Sequence, residues 1–448
     1  MIETTTANSK IRFVPFKDLL LWDVKRMMRK NVASDFPIVK LGTVIIEQNN
    51  REKIFERPNE DFKILGVNNK VGLFDAYIEK GRNINQPYKK VEEDWLAFNP
   101  YRINVGSIGI KLPKHQYDYI SPAYVVFSCK KELNPEFLFL LFKTETFNTI
   151  ICENTTGSVR QNLLFDTLST LQIPLPSLSR QKELVNAYHK QTQLGEKQEE
   201  KAELLEEKIE SYLNQAFGIK KKHRIKREKL NIVRYKDVAQ WGLDFIKGFS
   251  KWEINPIYPR QKISQLCKVG SGGTPNTSRR NYYNGDIPWV KTTEVVNDLI
   301  LDTEDKITKL GLENSSAKMY PIGSLIIAMY GQGITRGRTA KLGIEAATNQ
   351  ACAVLYNINN DIILTDFLWL YLTNEYERLR ELASGNSQPN LNAGMVLDYK
   401  IQIPPKNIQK EILQEFNLMK SKIKHLQSQA EHNKSLAMKK FEQTIFII

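Results

Sequence analysis

The sequence predicts an α+β protein: two tandem mixed α/β domains separated by two long antiparallel coiled-coil helices, the halves related by a pseudo-two-fold. Three observations predict it. The chain repeats itself at a nearly constant offset. Each copy carries short alternating strands between Gly, Asn and Pro breaks. Each copy ends in a Pro-bounded hinge followed by a long heptad-like stretch.

The repeat organises everything else. "FKDLLLW" from Phe16 recurs as "YKDVAQW" from Tyr235, and "FLFLLF" from Phe137 recurs as "FLWLYL" from Phe367. "GSVRQNL" from Gly157 matches "GNSQPNL" from Gly385. "QIPLPSLSRQKEL" from Gln172 matches "QIPPKNIQKEI" from Gln402, which sets Gln181-Lys182-Glu183 on Gln409-Lys410-Glu411. The match from Gly157 and the Gln-Lys-Glu triplet share an offset of 228 residues. Collinear matches at such spacing mark two tandem copies.

Within each copy the elements follow one order. A mixed segment comes first, with strands such as "YVVF" (124–127) and "SLIIAM" (324–329). An apolar helix-like piece follows, then the hinge "IPLP" or "IPP", then the long helix. In the second helix Ile412, Phe416, Met419, Ile423, Leu426, Ala430, Asn433 and Ala437 alternate in steps of four and three, the spacing of a coiled-coil seam. The first helix offers Leu184, Tyr188, Gln191, Gly195, Gln198, Ala202, Leu205 and Ile209 at the same positions. Its polar middle and its glycine predict a weaker seam there. Helices of about 40 residues would run roughly 60 Å. The expected boundaries are 1–170 for the first domain with its N-terminal segment, 171–218 for the central helix, 219–234 for a basic linker, 235–400 for the second domain and 401–448 for the C-terminal helix.

Composition bounds the function. With 448 residues, 41% hydrophobic and 25% charged, the chain is of ordinary folded type with room for several cores. Its 64 Lys and Arg against 50 Asp and Glu leave a net charge of +14, which favours an anionic partner. Seven Lys or Arg crowd residues 220–229, read as a solvated linker with nucleic-acid contact as the functional alternative. Cys129, Cys152, Cys267 and Cys352 form no CxxC pair, so no structural zinc site is expected. "MIETTTANSK" has no apolar signal region, and runs such as "FLFLLF" are too short to span a bilayer. These features predict a soluble cytoplasmic protein with no membrane partner.

The search for catalytic chemistry finds no constellation. No Walker-type loop is present, and "GQGITRG" has Arg336 where a dinucleotide fingerprint needs its third glycine. "NPYR" at Asn99 is read as a turn leading into a strand. Glu304 and Lys306 in "EDK" offer the one nuclease-like pair, without a convincing upstream aspartate. The five histidines are scattered and suggest no triad. A basic, duplicated chain without such chemistry points to a recogniser or a scaffold.

Two stretches carry a family resemblance. "GSGGTP…NYYNGDIPWVKTTEV" and "GNSQPNLNAGMVLDYKIQIPPKNIQKEI", in a two-copy layout with two long helices, resemble the specificity (S) subunit of type I restriction–modification systems. The first copy has "LGTVIIEQNN" (41–50) in place of the GGTP loop and continues "FKILGVNNKVGLF" and "LAFNPYRINVGSIGIKL", similar to another variant of the same recognition domain. The resemblance implies that each mixed segment is a target recognition domain reading one half of a bipartite asymmetric DNA site. The helices would set the spacer and dock two modification (methyltransferase) subunits. Restriction subunits with translocase and nuclease activity would complete a phage-defence complex.

By the same resemblance the chain itself is non-catalytic and holds no cofactor or metal. S-adenosylmethionine would bind the methyltransferase partner, and ATP and Mg the restriction partner. Polar and basic loop residues suit phosphate and base-edge contacts with double-stranded DNA. The candidates are Asn68, Asn69, Lys70, Arg102, Asn104 and Ser107 in the first domain, and Arg279, Arg280, Asn281, Gln332, Arg336, Arg338 and Lys341 in the second. Glycines in these loops are read as letting backbone approach DNA. Trp289 is read as core. Leu205, Ile209, Ile412, Phe416, Met419, Ile423 and Leu426 are the candidate partner-docking helix residues. Three other readings stay open: a type IIB-like or other phage-defence specificity subunit, a stand-alone metal-dependent nuclease acting through Glu304 and Lys306, and a coiled-coil scaffold.

Overall fold

In the computed structural model, residues 32–155, 162–221, 252–331, 333–382 and 390–447 are described. The repeats "FKDLLLW" and "YKDVAQW", most of the basic run 219–234, and Gln332 lie outside them. The chain forms two compact units, Met1–Glu199 with Gln427–Ile448, and Glu200–Leu426. The two long helices, Leu178–Ala216 and Lys406–Ile445, each contribute one part to either unit. Among the described residues no helix is long and apolar enough to cross a membrane.

The first unit is a pair of sheets on a helical frame. Strand β1 (Ile38–Lys40) opens the unit and pairs antiparallel with β11 (Gln172–Pro174), closing the mixed segment where the long helix begins. One sheet has the order β2-β10-β7-β8, from β2 (Ile45–Glu47), β7 (Leu96–Phe98), β8 (Ile108–Ile110) and β10 (Val125–Cys129). The other has the order β3-β6-β9-β4-β5, from β3 (Arg51–Glu52), β4 (Asp61–Asn68), β5 (Gly72–Lys80), β6 (Tyr88–Lys90) and β9 (Tyr119–Ile120). In it β4 and β9 run parallel, with Ile64 opposite Tyr119.

Helices α1 (Pro135–Lys143), α2 (Glu145–Asn154) and α3 (Phe165–Ser169) complete the first unit. Asn134 starts α1 by accepting from the Phe137 amide at 2.9 Å, with Pro135 at the first helical position. Thr144 ends α1 and caps α2 through the Phe147 amide. Phe137, Leu138, Leu141 and Phe142 of α1 are buried with Leu96, Phe98 and Phe127 of the first sheet. Each such side chain contributes about 1.5–3 kcal/mol by leaving water. Phe441 and Ile445 of the second long helix join this core.

The second unit follows the same plan. β14 (Arg260–Lys262) pairs antiparallel with β24 (Lys400–Gln402), as β1 does with β11. One sheet runs β15-β23-β20-β21-β17, from β15 (Lys268–Ser271), β17 (Leu299–Ile300), β20 (Leu325–Ala328), β21 (Thr339–Leu342) and β23 (Cys352–Tyr356). The other runs β18-β16-β22-β19, from β16 (Tyr283–Val290), β18 (Lys306–Ile307), β19 (Met319–Tyr320) and β22 (Ala346–Thr348). Here β16 and β22 run parallel, with Trp289 opposite Ala347, matching β4 and β9. Helices α4 (Thr365–Asn374), α5 (Tyr376–Leu382) and α6 (Ala393–Asp398) take the places of α1, α2 and α3.

The long helices run antiparallel within each unit, and every predicted seam position is buried or half-buried. In the first unit the polar middle forms a hydrogen-bonded ladder. Gln191 donates to Asn433 at 2.7 Å, Asn433 to Gln198 at 2.8 Å, and Gln198 to Gln429 at 3.1 Å. Gly195 lets the helices close here, since a Cβ on it would lie 2.9 Å from the Ala430 carbonyl oxygen. The seam expected to be weak is therefore tied by polar groups at short range. In the second unit Ala202, Ile209, Ile412 and Ile423 are buried in one apolar cluster.

Both helix ends are tied down as well. The chain after the first helix pairs as a short strand, β12 (Ile219–Lys221), with β13 (Trp252–Ile254). These first residues of the expected basic linker are thus sheet. After the second helix the Ile447 amide donates to the Ala33 carbonyl at 2.9 Å, and Ser34 Oγ to that of Ile445.

Candidate nucleic-acid interface

In the first unit the candidates gather on two neighbouring loops. The β4–β5 hairpin turns at residues 68–72, where Asn68 Oδ1 accepts from the amides of Lys70 and Val71. Asn68 shapes the turn, while Asn69 and Lys70 are exposed at its tip beside Val71. The second loop joins β7 to β8 and closes where the Asn99 amide meets the Ser107 carbonyl. "NPYR" is the first turn of this loop, held by Asn99 Oδ1 on the Tyr101 amide. Arg102 is exposed and Asn104 half-buried.

Ser107 is a correction. It is 2% exposed and donates to the Val67 carbonyl at 3.3 Å, so it ties the loop to the hairpin and offers DNA no polar group. Gly109 packs so closely on Leu73 that a Cβ would fall 2.1 Å from its nitrogen. The two contacts hold the hairpin against the β7–β8 loop.

In the second unit the opening loop is built inward as well as outward. Trp289 is 6% exposed and donates from Nε1 to the Gly273 carbonyl at 3.0 Å. The Tyr283 hydroxyl donates to the Pro275 carbonyl. A Cβ on Gly272 would meet the Thr348 carbonyl oxygen at 1.8 Å, and one on Gly273 would meet Ser316 Oγ at 2.3 Å. These glycines serve close packing against protein, which corrects the expectation that they bring backbone to DNA. Arg279, Arg280 and Asn281 are exposed just beyond them. The Arg279 guanidinium stacks 5.7 Å from the Tyr282 ring centroid, and the Asn281 carbonyl accepts from Thr308.

The loop between β20 and β21 is the counterpart of the β7–β8 loop. It closes where the Gly337 amide meets the Ala328 carbonyl at 2.9 Å. Gly333 and Gly337 hold φ at +75° and +86°, and a Cβ on Gly333 would meet nothing within 4 Å. Arg336 and Arg338 are half-buried. Burial, and then the neighbouring Arg380 charge, push the Arg336 guanidinium below its ordinary pKa. Lys341 pairs with Asp366 of α4 and is largely covered. Tyr376 and Arg380 of α5, which the sequence reading passed over, donate to the carbonyls of Ile334 and Arg336. Their only signal in sequence is their spacing of four on one short helix.

The docking candidates face inward. Ile209, Ile412 and Ile423 are buried, and Leu205, Phe416, Met419 and Leu426 are partly buried against the same cluster. The fully buried three are spent on the seam and cannot form a docking face. Leu204 and Leu418, at 55% and 62% exposure, are the most exposed of the outward leucines on these helices, with Leu178 and Leu194 also exposed. The nuclease-like pair is divided: Lys306 pairs with Asp302 at 3.2 Å, while the Glu304 carboxylate lies 4.0 Å from Lys291 Nζ.

Duplicated frames with different loops are the geometry that comparison with known proteins places in a family. Residues 34–207 and 260–431 match the sequence profile described as Type I restriction modification DNA specificity domain. The chain belongs to that family, with one copy in each half. It is 25% identical over 297 residues to the Type I restriction enzyme MjaIX specificity subunit of Methanocaldococcus jannaschii, covering 63% of this chain and 60% of that one. It is 24% identical over 320 residues to the HindI specificity subunit of Haemophilus influenzae, covering 61% of this chain and 68% of that one. The chain thus spans less than two thirds of the length of the first of these relatives. A solved chain described under complex assembly and conformational transition of the type I R-M system shares the fold. Its TM-score is 0.61 at 15% identity, covering 93% of this chain and all of that one.

Proposed function

We propose that this chain is the sequence-specific DNA-recognition subunit of a type I restriction–modification complex. Each unit reads one half of a bipartite, asymmetric site. The observation that carries this is one frame built twice with different loops on it. β1–β11 and β14–β24, the parallel pairs β4–β9 and β16–β22, and the β7–β8 and β20–β21 loops correspond. The residues on those loops differ, so two such surfaces in one chain read two different sequences.

Affinity comes from Lys70, Arg102, Arg279 and Arg280 against phosphates, and base reading from Asn69, Asn104, Asn281, Arg336 and Arg338. Gln332, outside the described residues, belongs with the second group. Asn68 and Lys341 shape the loops from beneath. Two methyltransferase subunits carrying S-adenosylmethionine dock on the outward faces of the long helices, around Leu204 and Leu418. Restriction subunits using ATP and Mg complete the complex, and this chain contributes no catalytic group. The test is a methylome with and without the gene. Loss of one bipartite adenine-methylated motif is expected, and an unchanged methylome would overturn the reading.

A further inference from the structure

The helices α2 and α5 occupy the same place in the two copies, each after the apolar helix of its unit. At the repeat-related position stand Cys152 on α2 and Arg380 on α5, separated by the offset of 228 residues seen elsewhere in the repeat. Both donate to a main-chain carbonyl of the corresponding loop. Cys152 Sγ reaches the Asn104 carbonyl at 3.7 Å, and Arg380 Nη1 reaches that of Arg336 at 3.0 Å. Each loop has a second tie from the same helical pair. Lys143 Nζ donates to the Gly106 carbonyl at 3.0 Å, and the Tyr376 hydroxyl to that of Ile334 at 2.8 Å.

Arg380 is itself held. Its Nη1 also donates to the Tyr376 hydroxyl at 3.2 Å, and its guanidinium lies 5.3 Å from the Tyr376 ring centroid. Gly337, at φ +86°, sits against it: a Cβ there would meet Arg380 Cγ at 3.1 Å. The brace therefore grips a loop whose glycines would otherwise sample many backbone conformations.

We propose that Cys152 and Arg380 are positioning residues, each setting the recognition loop of its own unit and hence the base preference of one half-site. The proposal rests on the DNA-recognition reading above. The physical ground is pre-organisation: tying loop carbonyls to a helix removes conformers before DNA arrives and presents the loop side chains in one arrangement. A guanidinium bond is charge-assisted and a thiol is a weak donor, so Arg380 contributes more to holding its loop than Cys152 does to holding the first, where the Lys143 ammonium is the charged tie.

The test is selection of binding sequences from a randomised duplex pool by the purified full chain, beside thermal melting of each variant. Arg380→Met is expected to relax base preference about tenfold in one half of the selected site, leaving the other half unchanged. Arg380→Lys restores part of it, and Tyr376→Phe, which removes one hydroxyl, gives a smaller change in the same half. Cys152→Ala relaxes the opposite half, by less. Variants that lower melting temperature or affinity for all duplexes alike, with both halves of the motif intact, would overturn the proposal. A wild-type chain that selects no bipartite sequence would overturn the recognition reading itself, and that result is visible before any variant is made.

Discussion

Gln181 and Gln409, one at the start of each long helix, make the same three hydrogen bonds in the two units. Gln181 donates to the carbonyls of Glu132 and Pro176 and accepts from the Asn134 amide at 2.7 Å. Gln409 donates to the carbonyls of Ile362 and Pro404 and accepts from the Leu364 amide at 2.8 Å. Both side chains are fully buried. An amide is the one side chain of this size that supplies two donors and an acceptor together. Gln409→Leu strands three buried backbone groups, at about 1–3 kcal/mol each before relaxation. The expected outcome is loss of several kcal/mol in the second unit. Hydrogen exchange should show the Leu364 amide deprotected while the Asn134 amide keeps its protection. Equal loss at both amides would mean that the frames are not separate staples.

Trp289 and Gly273 form the corresponding fastening in the opening loop. Trp289→Phe keeps an aromatic body but leaves the Gly273 carbonyl without its indole donor and opens space where the larger ring stood. About 2–3 kcal/mol of stability should be lost. Gly273→Ala should be worse, because its Cβ would also fall 2.4 Å from the Ala317 nitrogen. Urea unfolding of the two variants checks the order. A Gly273→Ala protein as stable as wild type would show that the loop does not need its close approach.

Gly195 gives a prediction opposite to helix propensity. Replacing a mid-helix glycine by alanine ordinarily gains about 1 kcal/mol. Here the added Cβ would press on the Ala430 carbonyl oxygen and on Lys434 Cγ at 3.1 Å, forcing the helices apart across the Gln191–Asn433–Gln198 ladder. Gly195→Ala should therefore lower the melting temperature, and a rise would refute this packing. Asn433→Leu should also destabilise, by about 1–2 kcal/mol, because it leaves Gln191 Nε2 and Gln198 Oε1 without the group they bond.

Much of this was legible in sequence for a physical reason. Frame residues such as Gln181 and Gln409, or Phe137 and Phe367, face the same neighbours in both copies, so the repeat survives in the letters. The strands expected at "YVVF" and "SLIIAM" are β10 and β20, and the heptad seam is occupied at every expected position. What stayed hidden depends on which way one side chain points. Ser107 looks like a loop serine and is buried under Val67. Ile209 and Ile423 fit both a seam and a docking face in sequence, and burial leaves them only the first role. Gly272 and Gly273 look like a flexible lead-in, and their reason is a carbonyl or hydroxyl less than 2.5 Å from any Cβ. "LGTVIIEQNN" begins as the short helical turn Leu41–Thr43, the counterpart of Ile263–Gln265, so only its end faces the GGTP position.

Lys89 on β6 gives a pH signature. It is 3% exposed, with Nζ donating to the Tyr124 carbonyl at 3.0 Å. Burial lowers its pKa from the ordinary 10.5, with Glu47 opposing and Arg51 adding to the shift. Between the lowered folded value and 10.5 the unfolded chain binds more protons than the folded one, so this group makes stability rise with pH and fall as pH drops through the folded value. Lys89→Met should flatten that alkaline slope in denaturant unfolding. An unchanged slope would mean that Lys89 does not titrate differently on folding.

Lys70 and Asn69, adjacent at the tip of the β4–β5 hairpin, should separate affinity from reading. A phosphate contact releases counterions, so its loss weakens every duplex and makes log K less steep in log salt by about one. A base contact changes preference among sequences and leaves the slope alone. Both side chains are exposed, with Asn68 holding the turn beneath them, so substitution leaves the fold intact. Lys70→Ala should weaken binding to matched and mismatched duplexes by the same factor. Asn69→Ala should lower discrimination in one half-site roughly tenfold at constant slope, about the loss expected from 1–3 kcal/mol of base readout. Anisotropy titrations at several salt concentrations measure both. If Lys70→Ala left the salt slope unchanged, the hairpin tip would not lie on the phosphate backbone.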